Sequence, residues 1–343
     1  MHEIIEKDLN EIIQEFKEPL ENISGKTILV TGGNGSIASY LIDIFYRFNC
    51  KLIILNKNET TDKSRLSHLI GKPNVEFVVQ DVGKPFQVPK GVHIIIHAAS
   101  RANLKAFLEE PLDTIDANVN ATRTLLEYSK ENPVENFVFF SSAEIYGNPV
   151  KEFVPTPETY TGNIDCLHPA SCYTESKRLS ETLCSIFFRK HNVPVKILRI
   201  LLSYGPGMRN DGKVISDFYT AGKENGEIKI RDKGEDTRSF CYVSDVVRGI
   251  LIVMFRGNSG EAYNIGNDEE NVSILELANK ISSVLNNGTV VKPNLEALPR
   301  QIYGVPTRNI QISKLRNLGF EPKISLDEGL GRLKEYVEEV GWT

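Results

Sequence analysis

Tyr173 and Lys177 stand four residues apart in SCYTESKRLSE. That spacing puts two side chains on one face of a helix. A free tyrosine, with a pKa of about 10, is a poor base at neutral pH. A neighbouring ammonium and a positively charged cofactor ring both favour its phenolate. Such a pair suits removal of a proton from a hydroxyl while hydride leaves the same carbon. A second group of candidates closes an apolar run. FVFFSSAEIYG, residues 137–147, passes from core residues into Ser141, Ser142, Ala143 and Glu144. The Ser142 hydroxyl is placed to bond a substrate oxygen as an alcohol becomes a ketone. Ser141 is the neighbouring candidate for capping the backbone. Glu144 adds a carboxylate for proton transfer or for orientation.

Hydride chemistry needs a cofactor, and ILVTGGNGSIA supplies a cradle for one. Gly32, Gly35 and Ala38 have a GxxGxxA spacing between a strand pattern and a helix pattern. The glycines allow a tight turn and close approach to a pyrophosphate. The first helical N–H groups, at Ser36 and Ile37, face that anion at the helix N-terminus. The residue after the second strand sets the ribose contact, and an acid there favours NAD. Here it is Asn56, followed by Lys57. The expected cofactor is NAD, with NADP an alternative because nothing in Asn56-Lys57 repels a phosphate. Asp81 and Val82 end the third strand, where a carboxylate can accept from the adenine amine. His97 ends a buried strand in IIIHAAS and is expected to be packed and hydrogen-bonded beside the cofactor. Ala98 and Ala99 leave room for the dinucleotide. Asn118 is expected to begin a helix and to fix water or backbone near Tyr173 and Lys177; an ordinary helix cap is the alternative.

Six apolar runs must position these groups: KTILVTGG, CKLIILN, VEFVVQDV, GVHIIIHAA, VENFVFFSS and VPVKILRILLSYG. Helical patterns separate most of them. Continuous Ile, Val and Leu runs alternating with helices mean an α/β fold with a doubly wound parallel sheet. Chemistry in such folds gathers at the carboxyl ends of the strands, and these motifs sit there. After about residue 205 the pattern loosens into a smaller mixed C-terminal lobe. SLDEGLGRLKEYVEEV in that lobe reads as a helix with a capping box of Ser325 and Glu328. Ile5, Leu9, Ile12, Ile13 and Phe16 predict an amphipathic helix over residues 4–16, packed on the domain or on another subunit. The expected organisation is a helical extension (1–24), a dinucleotide domain (25–205) and a mainly substrate-binding lobe (206–343), with some segments returning to the sheet.

Composition narrows the partners. The chain has 343 residues and a formal net charge of -5, so no basic field for nucleic acid is expected. Five cysteines without a CxxC pair predict reduced thiols, a cytoplasmic location, and neither a disulfide framework nor a metal site. The start of the chain is acidic and lacks a secretory pattern, and no run reaches the length of a membrane span.

TGGNGSIA, HAA, SSAEIYG, YTESK and TRSFCYVSD together resemble the extended short-chain dehydrogenase/reductases that act on nucleotide sugars. The likeness runs through nearly the whole chain beyond about residue 25. It implies a Rossmann-type fold, a homodimer, a nucleotide-diphosphate sugar as substrate, and oxidation of that sugar at C4. It makes Tyr173 the base, Lys177 its partner and Ser142 the third member of a catalytic triad. Arg238 in DTRSF is implied to reach the substrate, and Arg209 and Lys213 to add charge at the mouth of the cleft. PGMRNDGKVISDF and the spacing of Ala170, Cys172, Tyr173, Glu175, Lys177, Arg178, Glu181 and Thr182 are most similar to UDP-glucuronate decarboxylases, with 4,6-dehydratases next. In that family 4-epimerases usually carry a neutral residue at the position of Glu144, while dehydratases and decarboxylases carry Glu. Many dehydratases also place an Asp just before it, where this chain has Ala143, which cannot donate a proton. Leu202 departs from an Asn that the family often has in this stretch. Decarboxylation of UDP-glucuronate is therefore the first expectation, followed by 4,6-dehydration and then C4 or C5 epimerisation. A dinucleotide-binding scaffold or sensor is the non-enzymatic alternative, and the Tyr173–Lys177–Ser142 set argues against it.

Overall fold

Successive residues of the central strands face opposite ways, and both ways are apolar. In the computed structural model, which describes residues 1–61, 64–295 and 307–342, Ile28, Val30, Ile94, Ile96, Val138 and Phe140 join one hydrophobic cluster. Leu29, Ile95, Phe137 and Phe139 join another. The period of two along a strand therefore feeds two cores, which is why these runs read as unbroken apolar sequence.

The elements follow in alternation. Helix α1 (Glu3–Glu21) precedes β1 (Thr27–Thr31), α2 (Ser36–Arg47), β2 (Lys51–Asn56), β3 (Val75–Val79) and β4 (Ile94–His97). Next come α3 (Leu104–Glu109), α4 (Pro111–Glu131), β5 (Asn136–Ser142), α5 (Ser171–His191), β6 (Val195–Ile200) and β7 (Ser203–Tyr204). The remainder holds α6 (Val214–Asn225), β8 (Glu227–Ile230), β9 (Thr237–Ser239), β10 (Cys241–Tyr242), α7 (Val243–Arg256), β11 (Ala262–Ile265), β12 (Asn271–Ser273), α8 (Ile274–Leu285), β13 (Val290–Pro293), β14 (Thr307–Arg308), α9 (Ser313–Arg316) and α10 (Leu326–Val340).

The main sheet is parallel and has the order β11-β6-β5-β4-β1-β2-β3. The order reverses between β1 and β4, so their carboxyl ends open a crevice. All six runs read as strands are present. The sixth is shorter than its apolar pattern: β6 stops at Ile200, and β7 turns away to pair with β10. The seventh strand, β11, comes from the looser C-terminal half and pairs with β6. The C-terminal lobe adds a three-stranded sheet, β12-β9-β14, and a two-stranded one, β13-β8. At α10 only half of the expected capping box forms: Ser325 Oγ accepts from the Glu328 N–H at 3.2 Å. The complete box is at α8, between Ser273 and Glu276.

The amphipathic helix α1 is longer than residues 4–16 and is anchored by a buried carboxylate. Asp8 has 0% exposure. It accepts from the hydroxyls of Tyr40 at 2.9 Å and Tyr242 at 3.0 Å, and from Arg332. Those partners come from α2, β10 and α10. Burial pushes the Asp8 pKa up, against the pull of Arg332 and the two hydroxyls. A charge so buried is tolerated because both carboxylate oxygens have donors, and breaking such a pair costs on the order of 3–5 kcal/mol. Buried Arg248 of α7 completes the attachment, with Asp245 at 2.9 Å, Glu11 at 3.2 Å and Glu15 at 3.3 Å. Among the described residues no helix is long and apolar enough to cross a membrane.

Candidate active site

The glycine turn after β1 is dictated by a close approach. Gly32 has φ +71, and a Cβ there would meet the Ala99 backbone at 2.7 Å. Gly35 caps α2 with extended backbone, and no side chain caps the helix. The Ser36 and Ile37 end of α2 is thus presented to an anion, as the pyrophosphate of a dinucleotide requires. Asn56 is buried, and its Oδ1 accepts from the Asn34 N–H at 3.1 Å. It braces the glycine loop with its amide oxygen. Lys57 is half-exposed and ion-paired with Asp81 at 3.1 Å. Burial alone would raise the Asp81 pKa, but the Gly83 N–H and Lys57 outweigh it and hold the carboxyl below its usual range. Val82 is buried in the second core cluster. Ala98 and Ala99 lie half-buried at the end of β4.

His97 is a packed histidine, as its apolar strand foretold. The Thr31 hydroxyl meets Nδ1 at 2.7 Å, and Nε2 meets the Thr122 hydroxyl at 3.1 Å. Thr122 donates onward to the Asn118 carbonyl at 2.5 Å, so Nε2 carries the proton. Burial, with a smaller push from Lys177, lowers the pKa to about 3, and the ring stays neutral. Asn118 does not begin a helix; it lies inside α4. Its Nδ2 donates to Ser176 Oγ at 2.8 Å, and its Oδ1 accepts from Ser100 at 2.8 Å. A buried polar chain thus ties the cofactor strand to the helix that carries Tyr173.

That helix, α5, buries Tyr173, Ser176, Lys177, Ser180 and Cys184 on one face. Tyr173 stacks on Phe107 of α3, with ring centroids 4.6 Å apart and planes at 18°. Its hydroxyl hydrogen-bonds Ser142, and Glu144 is close enough to act on it. Burial pushes the Tyr173 pKa up to about 12; Ser142 lowers it and Glu144 raises it. Lys177 Nζ donates to the Phe140 carbonyl at 2.7 Å and lies 6.0 Å from the Tyr173 ring centroid. Burial pushes its pKa down to about 7, against smaller raising effects of Cys184 and Glu181. The fold penalises charge on either group. A cationic ring brought alongside favours the phenolate.

The serine roles differ from the expectation. Ser142, not Ser141, caps the 3₁₀ turn Ala143–Tyr146, accepting from the Glu144 N–H at 3.1 Å. Ser141 points behind the site and donates to Glu181 Oε1 at 2.6 Å. The reason is the strand's alternation: neighbouring residues face opposite sides. The structure thus gathers Tyr173, Ser142 and Glu144, with Lys177 one helical turn away. Arg209 and Lys213 are exposed on the loop before α6, and Lys213 pairs with Asp211 at 2.7 Å. Arg238 lies on β9 of the C-terminal lobe, 3.6 Å from Asp236. Leu202 is half-buried beside β7.

Comparison with known proteins decides the family. Residues 28–266 match the model of the NAD dependent epimerase/dehydratase family. The chain belongs to that family. Its members bind NAD, and the glycine turn, the bare α2 terminus and the alanines of β4 fit that cofactor. Among curated members, it is 35% identical to UDP-glucuronic acid decarboxylase 3 of Arabidopsis thaliana over 90% of this chain and 88% of the relative. It is 31% identical to UDP-glucuronic acid decarboxylase 1 of Xenopus tropicalis, over 98% of this chain and 82% of the relative. A UDP-glucose 4-epimerase of Thermotoga maritima, solved with UDP-glucose, superposes with a TM-score of 0.77 at 29% identity, covering 91% of this chain and 99% of that one. The family therefore shares this scaffold among enzymes with different outcomes.

The depressed Lys177 pKa has a consequence for stability. Below about pH 7 the folded and unfolded states both hold the Lys177 proton, and the fold bears a buried ammonium. Between there and the ordinary value of 10.5 only the unfolded state holds it, so stability rises with pH. Lys177→Met removes this contribution. In cofactor-free protein, the stability of the variant relative to wild type should be highest below pH 7. It should fall by a few kcal/mol towards pH 10. Urea unfolding at several pH values measures it, and a difference that does not change with pH contradicts a buried ammonium at Lys177.

Proposed function

We propose that this enzyme decarboxylates UDP-glucuronate to a UDP-pentose through a transient 4-ketone. The observation that carries the reading is Glu144, whose backbone N–H is held by Ser142 at 3.1 Å and whose charge acts on Tyr173, together with decarboxylases at 31–36% identity over most of the chain. In this reading Tyr173 takes the proton of the sugar's 4-hydroxyl, with Lys177 stabilising the phenolate and Ser142 bonding the same oxygen. When bound, NAD accepts the C4 hydride and later returns it. Gly32, Gly35, Ser36, Ile37, Asn56, Asp81, Val82, Ala98 and Ala99 line its place, with Lys57 held beside it by Asp81 and Asn118 bracing the catalytic helix.

The ketone at C4 makes the C5 carboxylate a good leaving group. The C5–C6 bond breaks, CO2 departs, and the electron pair enters the C4 carbonyl as an enolate. C5 then takes a proton, hydride returns to C4, and Tyr173 gives its proton back to O4. Glu144 contributes twice. Its negative charge repels the substrate carboxylate, a repulsion that ends when CO2 leaves. It also relays a proton from solvent to C5, taking it up as a carboxylate and passing it on as CO2 leaves, so that the Tyr173 proton remains for O4. Loss of water would instead need an acid beside the leaving hydroxyl, and Ala143 offers none. Arg238 is assigned to the diphosphate, since a guanidinium presents several fixed donors. Arg209 and Lys213 are assigned to the mouth of the cleft.

A homodimer and a cytoplasmic location complete the proposal. Exposed Leu112 of α4 and Leu179 of α5, and five free thiols, support them. The test is direct. Purified enzyme with UDP-glucuronate and NAD should release CO2 and a UDP-pentose. Intact UDP-glucuronate after long incubation contradicts the reading. A panel of UDP-, dTDP-, GDP- and CDP-hexoses analysed by mass would then show a dehydratase by loss of water.

A further inference from the structure

The turn that carries Glu144 is held from behind by a buried polar network reaching into the C-terminal lobe. Glu181 of α5 receives Ser141 Oγ at 2.6 Å, and Arg199 of β6 through Nε at 3.1 Å and Nη2 at 2.7 Å. Arg199 Nη1 donates to the Tyr146 hydroxyl at 3.0 Å. Tyr146 is the last residue of the Glu144 turn, and its hydroxyl donates to Asn264 Oδ1 at 2.6 Å. Asn264, on β11 and 0% exposed, donates through Nδ2 to the carbonyls of Thr156 at 3.0 Å and Gln311 at 2.9 Å. The Thr156 N–H in turn meets the Asn309 carbonyl at 2.8 Å, and Asn309 Oδ1 accepts from Ser239 Oγ at 3.1 Å. Ser239 adjoins Arg238. Arg178 adds a clasp on the same turn, donating to the Ile145 carbonyl at 3.2 Å.

One end of this chain abuts Ser142, its middle closes the Glu144 turn, and its far end abuts Arg238. Tyr173 and Lys177 are fixed separately by Ser142, Phe140 and the packing of α5, and the network reaches Lys177 only through the charge of Glu181. We infer that Tyr146, bridging Arg199 and Asn264, is a positioning residue for Glu144: it registers the turn against the substrate lobe for the step after C4 oxidation, without setting the oxidation itself. The inference rests on the proposed role of Glu144. A buried polar network rigidifies what it joins when its members are satisfied, and leaving a member unpaired is costly. Loss of one hydroxyl therefore frees the turn locally, while strand and helix keep their own hydrogen bonds.

The test separates the two half-reactions. Tyr146→Phe keeps the ring and removes only the hydroxyl, leaving Arg199 and Asn264 joined through Glu158 alone, by its carbonyl at 2.8 Å and its Oε1 at 2.9 Å. Rapid mixing with UDP-glucuronate follows reduction of the bound cofactor, and CO2 release follows completed turnover. Cofactor reduction should remain within about threefold of wild type, while turnover falls about tenfold or more and reduced cofactor accumulates. Ser141→Ala, which leaves the Glu181–Arg199 pair intact, should give a milder form of the same split and serves if Tyr146→Phe fails to fold. A parallel fall in both rates, or no change in either, overturns the positioning role. Glu144→Gln run alongside distinguishes the causes. If it too shows no split, the role of Glu144 is wrong; if it alone shows one, only the network's role is wrong.

Discussion

Replacing Tyr173 with Phe is expected to lower turnover about a thousandfold, within the range that a positioned general base contributes. The ring of Phe would still stack on Phe107 and remain buried, so the fold and NAD affinity should be retained. What disappears is the only atom of that side chain able to take the hydroxyl proton. Lys177 cannot replace it, because its Nζ is engaged with the Phe140 carbonyl. Ser142 cannot either, since a neutral serine hydroxyl is too weak a base to take that proton. The variant should show no reduced cofactor on mixing with substrate, since hydride cannot leave C4 while O4 keeps its proton. Measured kcat and single-turnover absorbance check this. Turnover near wild type would mean that another group is the base.

Glu144→Gln should fail at a different point. Glutamine preserves shape and the backbone bond to Ser142 but removes the negative charge. In the proposed mechanism C4 oxidation uses Tyr173, Lys177 and Ser142, so reduced cofactor should still form. It should even form somewhat more readily, because Glu144 raises the Tyr173 pKa and its neutral replacement eases the phenolate. The later steps should slow by about two orders of magnitude, as expected when a group managing a proton is lost. The signature is a stable reduced-cofactor absorbance and a trapped or released 4-keto sugar, detected by mass. If Glu144→Gln completes turnover normally, the carboxylate serves only to orient the substrate.

The two variants divide the site as the sequence divided it, and their residues were legible for a physical reason. A buried parallel strand must be apolar on both faces, so a serine or glutamate at its end is conspicuous. A helix that puts Tyr173 and Lys177 on its core face repeats at four residues. Gly32 announces itself because any side chain would meet the Ala99 backbone. Other parts carried weaker local signals. Four residues, AYNI, give no period long enough to assign β11 to the main sheet, and its place depends on pairing with distant β6. Asn118 looked like a cap because asparagine favours caps, yet tertiary contacts with Ser100 and Ser176 use it within α4. The pairing of Lys57 with Asp81 needs two strands to lie side by side. The network behind Glu144 joins Tyr146 to a partner 118 positions away. Its one sequence trace is Arg199, a charge inside the apolar run VKILRI.

Asp8 and Arg332 are 324 positions apart. Yet the carboxylate of Asp8 is buried on α2 and β10, elements that do not include its cation. During synthesis, α1 has its apolar docking surface long before the ribosome reaches residue 332. Seating the helix early would bury an anion with hydroxyls but no guanidinium, which is unfavourable. The last helix therefore acts as a late licence for the first. The chain is expected to leave α1 loosely held until translation is nearly complete, and premature termination before Arg332 leaves the first helix as the piece most open to proteolysis.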